Sequence, residues 1–135
     1  MEKIHETDSM LASFQTKSSI LICEAKECEE IEIDSLLTVL RIWFENCKTY
    51  NRKFSIILDL SRSQVDLVAP CLAVANFFTG LDEKYVEFLT RVAISGCSWY
   101  YIELMNAVYT SDVPFKAVDN IEDGVAWISQ DTDKE

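Results

Sequence analysis

The segment Phe54-Ser-Ile-Ile-Leu-Asp-Leu60 constrains this chain more than any other stretch. It is β-branched and almost wholly apolar, so it reads as a central strand covered on both faces. Such a strand needs helices to cover it, and the flanking sequence supplies them. Upstream, Asp34-Ser35 opens a helix to about Tyr50. Leu36, Val39, Leu40, Trp43, Cys47 and Tyr50 recur there at spacings of three and four and draw one apolar stripe. Asp34 suits the N-cap, where a carboxylate accepts from unpaired backbone N–H groups. The basic run Lys48–Lys53 suits the negative end of the helix dipole. Downstream, Gln64–Phe78 carries Val65, Leu67, Val68, Leu72, Val74, Phe77 and Phe78 around most of its circumference. A helix of that kind is buried or meets a partner. Ser63 followed by Asp66 resembles a capping box. Pro70 inside the run moves the expected helix start towards Ala69, because proline lacks the donor that a helix interior needs.

The remaining elements follow from similar signals. Leu11–Thr16 and Ser19–Glu24 read as a hairpin about Lys17-Ser18. Glu27–Glu32 is an acidic connection, and Asp82–Leu89 is expected to be helical. Arg91–Ser95 is a second short buried strand; Gly96 then turns the chain and Ser98 is placed to cap a helix over Trp99–Thr110. Pro114 precedes a strand at Phe115–Val118. Asn120 caps a last helix with Ile121, Val125 and Ile128 on its stripe. The expected order is ββαβα(α)βαβα, an α/β fold with an N-terminal hairpin and a mostly parallel sheet. One domain is expected over residues 11–130, between a loose polar tail at 1–10 and a charged tail at 131–135.

Composition narrows the function. A length of 135 residues suits one domain, and 49% apolar residues with only three Gly and two Pro imply a packed core with few loops. The net charge of −11 repels phosphate backbones and anionic headgroups, so neither nucleic acid nor a membrane surface is an expected partner. A basic protein face would instead be attracted. The five cysteines, at 23, 28, 47, 71 and 97, are odd in number and irregular in spacing, as free thiols in a reducing compartment are. The N-terminus has no basic start followed by an apolar run, and no apolar stretch reaches the roughly 18 residues that span a bilayer. A cytoplasmic location is expected.

Catalytic equipment is sparse. His5 is the one histidine, and it falls in the expected tail, away from any serine or cysteine nucleophile. Cys23 and Cys28 have no second pair, so no metal site is expected. Gly80, Gly96 and Gly124 cannot build a glycine-rich phosphate cradle, so no nucleotide cofactor is expected. The acidic pairs Glu29/Glu30, Asp82/Glu83 and Glu122/Asp123 read as solvated faces and dipole complements. The chain is therefore read as a non-enzyme. Open α/β sheets bind at the carboxyl ends of their strands. There the sequence offers Ser61, Arg62 and Ser63, then Ser95, Cys97, Ser98, Trp99 and Tyr100, then Asp119 and Asn120. The candidate binding set is Ser61, Arg62, Ser63, Ser98, Trp99 and Tyr100. The competing reading makes Ser63, Ser98 and Asn120 simple caps and Trp99 packing. Ser98-Trp-Tyr-Tyr101 puts three aromatics in succession at about 100° per residue, so at least one must be partly exposed.

Residues 91–130, with Arg91-Val-Ala-Ile-Ser95, Trp99, Val113-Pro-Phe-Lys-Ala-Val118 and Glu122-Asp-Gly-Val-Ala-Trp-Ile-Ser129, resemble the C-terminal half of STAS-like (SpoIIAA-like) proteins. Residues 19–60, with a buried strand running into Asp59-Leu-Ser61, resemble the first half. The resemblance implies the fold shared by STAS and CRAL-TRIO-type proteins. In the signalling branch the central strand leads to a serine phosphorylated at a helix N-terminus. Leu67 and Val68 stand at that place here, with Ser61 and Ser63 near but out of register as candidate phosphorylation sites. Three functions are in competition. The first is a regulatory module docking onto a protein partner or onto itself as a homodimer. The second is a small-molecule or lipid binder, and the third an enzyme using Cys97 or Ser61.

Overall fold

The computed structural model describes residues 2–7, 9–27, 33–62, 68–80 and 86–130. Its strands are β1 (Glu2–Glu6), β2 (Met10–Gln15), β3 (Ile20–Ala25), β4 (Phe54–Asp59), β5 (Leu89–Ser95) and β6 (Phe115–Val118). They form one six-stranded sheet in chain order. β1, β2 and β3 pair antiparallel, and β3 through β6 pair parallel. The described helices are α1 (Ile33–Tyr50), α2 (Val68–Thr79), α3 (Trp99–Val108) and α4 (Ile121–Ile128). The α/β class, the N-terminal hairpin and the mostly parallel sheet are as the sequence implies.

Strand order explains the layers. Each parallel crossover from β3 to β6 steps the same way along the sheet, so crossovers of one hand leave their helices on one face. α1, α2 and α3 accordingly pack over Ala12 and Phe14, Leu21 and Cys23, Ile56 and Leu58, and Val92 and Ile94. α4 follows the last strand and lies on the opposite face, over Ile20, Ile22, Ile57 and Ala93. A side chain at Gly124 would put its Cβ 3.2 Å from Ile57 Cδ1, so the glycine lets α4 settle close to β4.

The helical face is aromatic at the end where β4 begins. Phe14 stacks on Trp43 at 4.5 Å between ring centroids, and Phe54 meets Phe44 edge-on at 5.1 Å and Trp43 at 6.2 Å. At the other end the filling is aliphatic and thiol, and it leaves a cavity of about 20 Å³ lined by Cys23, Leu58, Cys71, Val74 and Met105 among others. α1 ends in a Schellman-type arrangement. Asn51 takes a left-handed backbone (φ 51°), and the Arg52 N–H donates to the Cys47 carbonyl at 2.9 Å. α2 begins at Val68, which puts Pro70 in the first turn, where its missing N–H costs nothing.

Several local expectations change. The first ten residues are not a loose tail throughout, because Glu2–Glu6 is a strand paired with β2. The order is thus βββαβαβαβα among the described elements. Asp34 lies inside the first turn of α1, not before it. Leu89 opens β5 and does not end a helix, α3 stops at Val108, and Ser98 occupies the N-cap without a side-chain bond. Asn120 caps α4 as expected, accepting from the Asp123 N–H at 2.8 Å. The expected helix start at Ser63, Cys28, and residues 81–85 of the expected helix before β5 lie outside the described residues.

Candidate functional site

Pairing puts Glu24, Asp59, Ser95 and Val118 in one row across the carboxyl ends of β3 to β6, on the α4 side of the sheet. Asp59 is buried there, and a buried carboxylate must find donors. It finds three. The Ser95 hydroxyl donates to Oδ1 at 2.8 Å, the Ser61 N–H to the same oxygen at 3.3 Å, and the Ser61 hydroxyl to Oδ2 at 3.1 Å. The Leu60 N–H adds a bond to the Ser95 carbonyl at 2.9 Å. The exits of β4 and β5 are thus fastened to one another through a single carboxylate.

Gly96 completes the fastening. Its φ of +79° favours glycine, and a Cβ there would stand 2.3 Å from the Ser61 N. With the turn fixed, the chain delivers Cys97 inward and Ser98, Trp99 and Tyr100 outward. Trp99 is 77% exposed and Tyr100 53%, whereas Tyr101 packs against the core. Two of the three successive aromatics are therefore at the surface. Trp99 and Tyr100 meet edge-on at 6.5 Å, so each ring braces the other in water.

Ser61, Arg62, Ser98, Trp99 and Tyr100 are all exposed at the carboxyl ends of β4 and β5, and Ser63 lies outside the described residues. Ser61 abuts Gly96, on the way to Ser98 and Trp99. Arg62 instead borders an open crevice of about 310 Å³ with Glu6, Leu11, Glu24 and Lys26. Asp119 borders a separate crevice of about 340 Å³ with Lys116, Asp123 and Trp127, and Asn120 is a cap. A phosphate on Ser61 would set about −1.5 to −2 charges beside the Asp59 carboxylate, which disfavours that modification.

Cys71 and Cys97 are both free thiols, as expected, and side-chain hydrogen bonding between them is the largest cause of the shift in each one's pKa. That bond holds the Cys97 pKa far above the ordinary thiol value, with burial and the Asp59 carboxylate adding to it. The same bond lowers Cys71, against burial. Burial pushes Cys23 up to about 12 and Cys47 up to about 11. Among the described residues, no three or more His, Cys, Asp and Glu side chains stand together as a metal site would require. No helix among them is long and apolar enough to cross a membrane.

The polar knot escaped the sequence reading. Its signal was the acid inside an otherwise apolar strand, at Asp59, which must be paired if the strand is buried. The mixed α/β topology is broadly consistent with a STAS-like architecture. No protein-family model matches the chain, and no curated protein is significantly similar to it.

Proposed function

We propose that the chain is a non-enzymatic, STAS-like regulatory module of the cytoplasm that docks onto a protein partner through the corner carrying Trp99 and Tyr100. The observation behind this reading is the 77% exposure of Trp99 on a backbone pinned by Gly96 and Asp59. Exposing a large ring to water is unfavourable, and interfaces are where such rings recover the loss. Pinning reduces the ordering cost of binding, because the ring is already held in place. The chain's charge of −11 favours a partner whose apolar socket is rimmed by Lys and Arg.

The competing readings have weaker physical support. The apolar cavity under the helical layer holds only about 20 Å³, far below the roughly 300–1,000 Å³ of ligand pockets, so a lipid chain entering there would have to force that layer apart. Cys97 keeps its proton at neutral pH, which makes it a poor nucleophile. The free thiols among the described cysteines fit a reducing compartment.

The test compares wild-type chain with a Trp99→Ala/Tyr100→Ala variant as affinity baits in extract of the native host. The expected result is a protein retained by wild type and lost from the variant, and then reproduced with the purified pair. An identical retained set for both baits would remove this corner from the function. Light scattering of the free chain tells a homodimer from a foreign partner.

A further inference from the structure

Trp99 and Tyr100 open α3, and Glu103 follows on the next turn. On a helix, residues three and four apart are neighbours, so Glu103 stands beside both rings. Helical side chains lean towards the N-terminus, which carries the Glu103 carboxylate back over the turn that bears the rings. Glu103 is exposed, and the two ring planes cross at 80° with 6.5 Å between centroids. The corner therefore has two aromatic walls and one carboxylate. Elsewhere the chain covers ring faces with its own cations. The Arg52 guanidinium lies 5.6 Å from the Phe14 ring centre, that of Arg41 5.8 Å from Phe77, and that of Arg91 5.1 Å from Trp127. Among the described residues, no cation lies over Trp99 or Tyr100, and none pairs with Glu103. An indole face is electron-rich, and Glu103 adds a full negative charge beside it, so the group that gains most at this corner is a cation.

Resting on the reading that the corner docks a protein, we infer that it receives an arginine side chain of the partner, with the guanidinium flat on the Trp99 ring and its N–H groups on the Glu103 carboxylate. Arg91 shows this mode inside the chain, lying over the Trp127 ring while it donates to the Trp127 carbonyl. Lysine fits less well. Its ammonium is a compact, strongly hydrated point charge that cannot stack as a plane and offer a two-pronged edge to a carboxylate. A quaternary ammonium also fits less well, because such ions bind in aromatic cages, and here Trp99 is 77% and Tyr100 53% exposed. The net charge of −11 draws a basic partner in, and this corner selects the residue that lands.

A random dodecapeptide library is selected on the full wild-type chain and counter-selected on Trp99→Ala, and the retained peptides are synthesised for affinity measurement. The expected peptides share an arginine. Citrulline in its place keeps the shape, removes the charge and weakens binding about tenfold. Glu103→Gln weakens the arginine peptide about two- to fivefold and leaves the citrulline peptide unchanged. Glu122→Gln removes the same charge from α4 and alters neither. The citrulline comparison is made on the wild-type chain, so it decides the question even where a variant fails to fold. Trp99-dependent peptides that accept citrulline or lysine without loss, or a loss on Glu103→Gln no larger than on Glu122→Gln, would overturn the arginine and leave docking at this corner standing. A library that yields no Trp99-dependent peptide would overturn both.

Discussion

The two faces of the sheet are built on different rules. The face under α1, α2 and α3 is apolar on every inward position of β2 to β5, from Met10, Ala12 and Phe14 to Val92 and Ile94. The face under α4 mixes its apolar cluster of Ile20, Ile22, Ile57 and Ala93 with buried Ser13, Ser55, Asp59, Arg91 and Ser95. Among the described residues, three helices protect the first, whereas one eight-residue helix covers part of the second. Two of the charged groups on that second face find partners close by. Asp59 is held by Ser61 and Ser95, and Arg91 donates to the Trp127 carbonyl and lies 5.1 Å from the centre of the Trp127 ring. The thick layer thus supplies most of the burial. The thin one fixes backbone positions, and it fixes them where the strand exits present Ser61 and the loop to Trp99.

Four substitutions can break or sharpen this contrast. Phe54→Ala, in the aromatic packing of the thick layer, should cost about 3–5 kcal/mol of unfolding free energy in a urea titration. Asp59→Asn keeps the shape but removes one strong acceptor from the knot; it should cost about 1–3 kcal/mol by the same measurement. Asn120→Ala removes the cap of α4 and should cost about 1 kcal/mol. Trp99→Ala should move stability by no more than about 0.5 kcal/mol, because the ring is mostly in water. A cost for Phe54→Ala no larger than that for Asn120→Ala would defeat the unequal-layer account. A large cost for Trp99→Ala would recast the exposed ring as a packing residue.

Legibility in the sequence followed the same division. The hairpin, α1, β4, β5, β6 and α4 were all readable, because each carries a local period or a cap such as Asn120. β1 was not, since its one inward apolar residue, Ile4, gives no alternation to detect, and its pairing with β2 is a matter of tertiary placement. Ser98 had the right residue type for a cap but makes no side-chain bond, which no propensity could reveal. At the site, exposure of the aromatic run followed from helix geometry alone. The Asp59–Ser95 bond joins residues 36 apart and depends on two strands being brought side by side. Local signals do not carry contacts of that range.

β1 has one more consequence. A sheet that ends in an unpaired strand offers backbone donors and acceptors to any passing chain, which is how fibrils are seeded. Here the outer strand reads Glu2-Lys3-Ile4-His5-Glu6, and its register slips between Lys3 and His5. Lys3 and Lys26 both reach Glu6, at 3.2 Å and 2.6 Å, so charge is crowded along that margin. The opposite margin, β6, is four residues long and exposes Lys116. An incoming strand would have to bury those charges and follow a kink. Growth by strand addition is therefore discouraged at both ends of the sheet, while the aromatic corner at Trp99 and Tyr100 stays open.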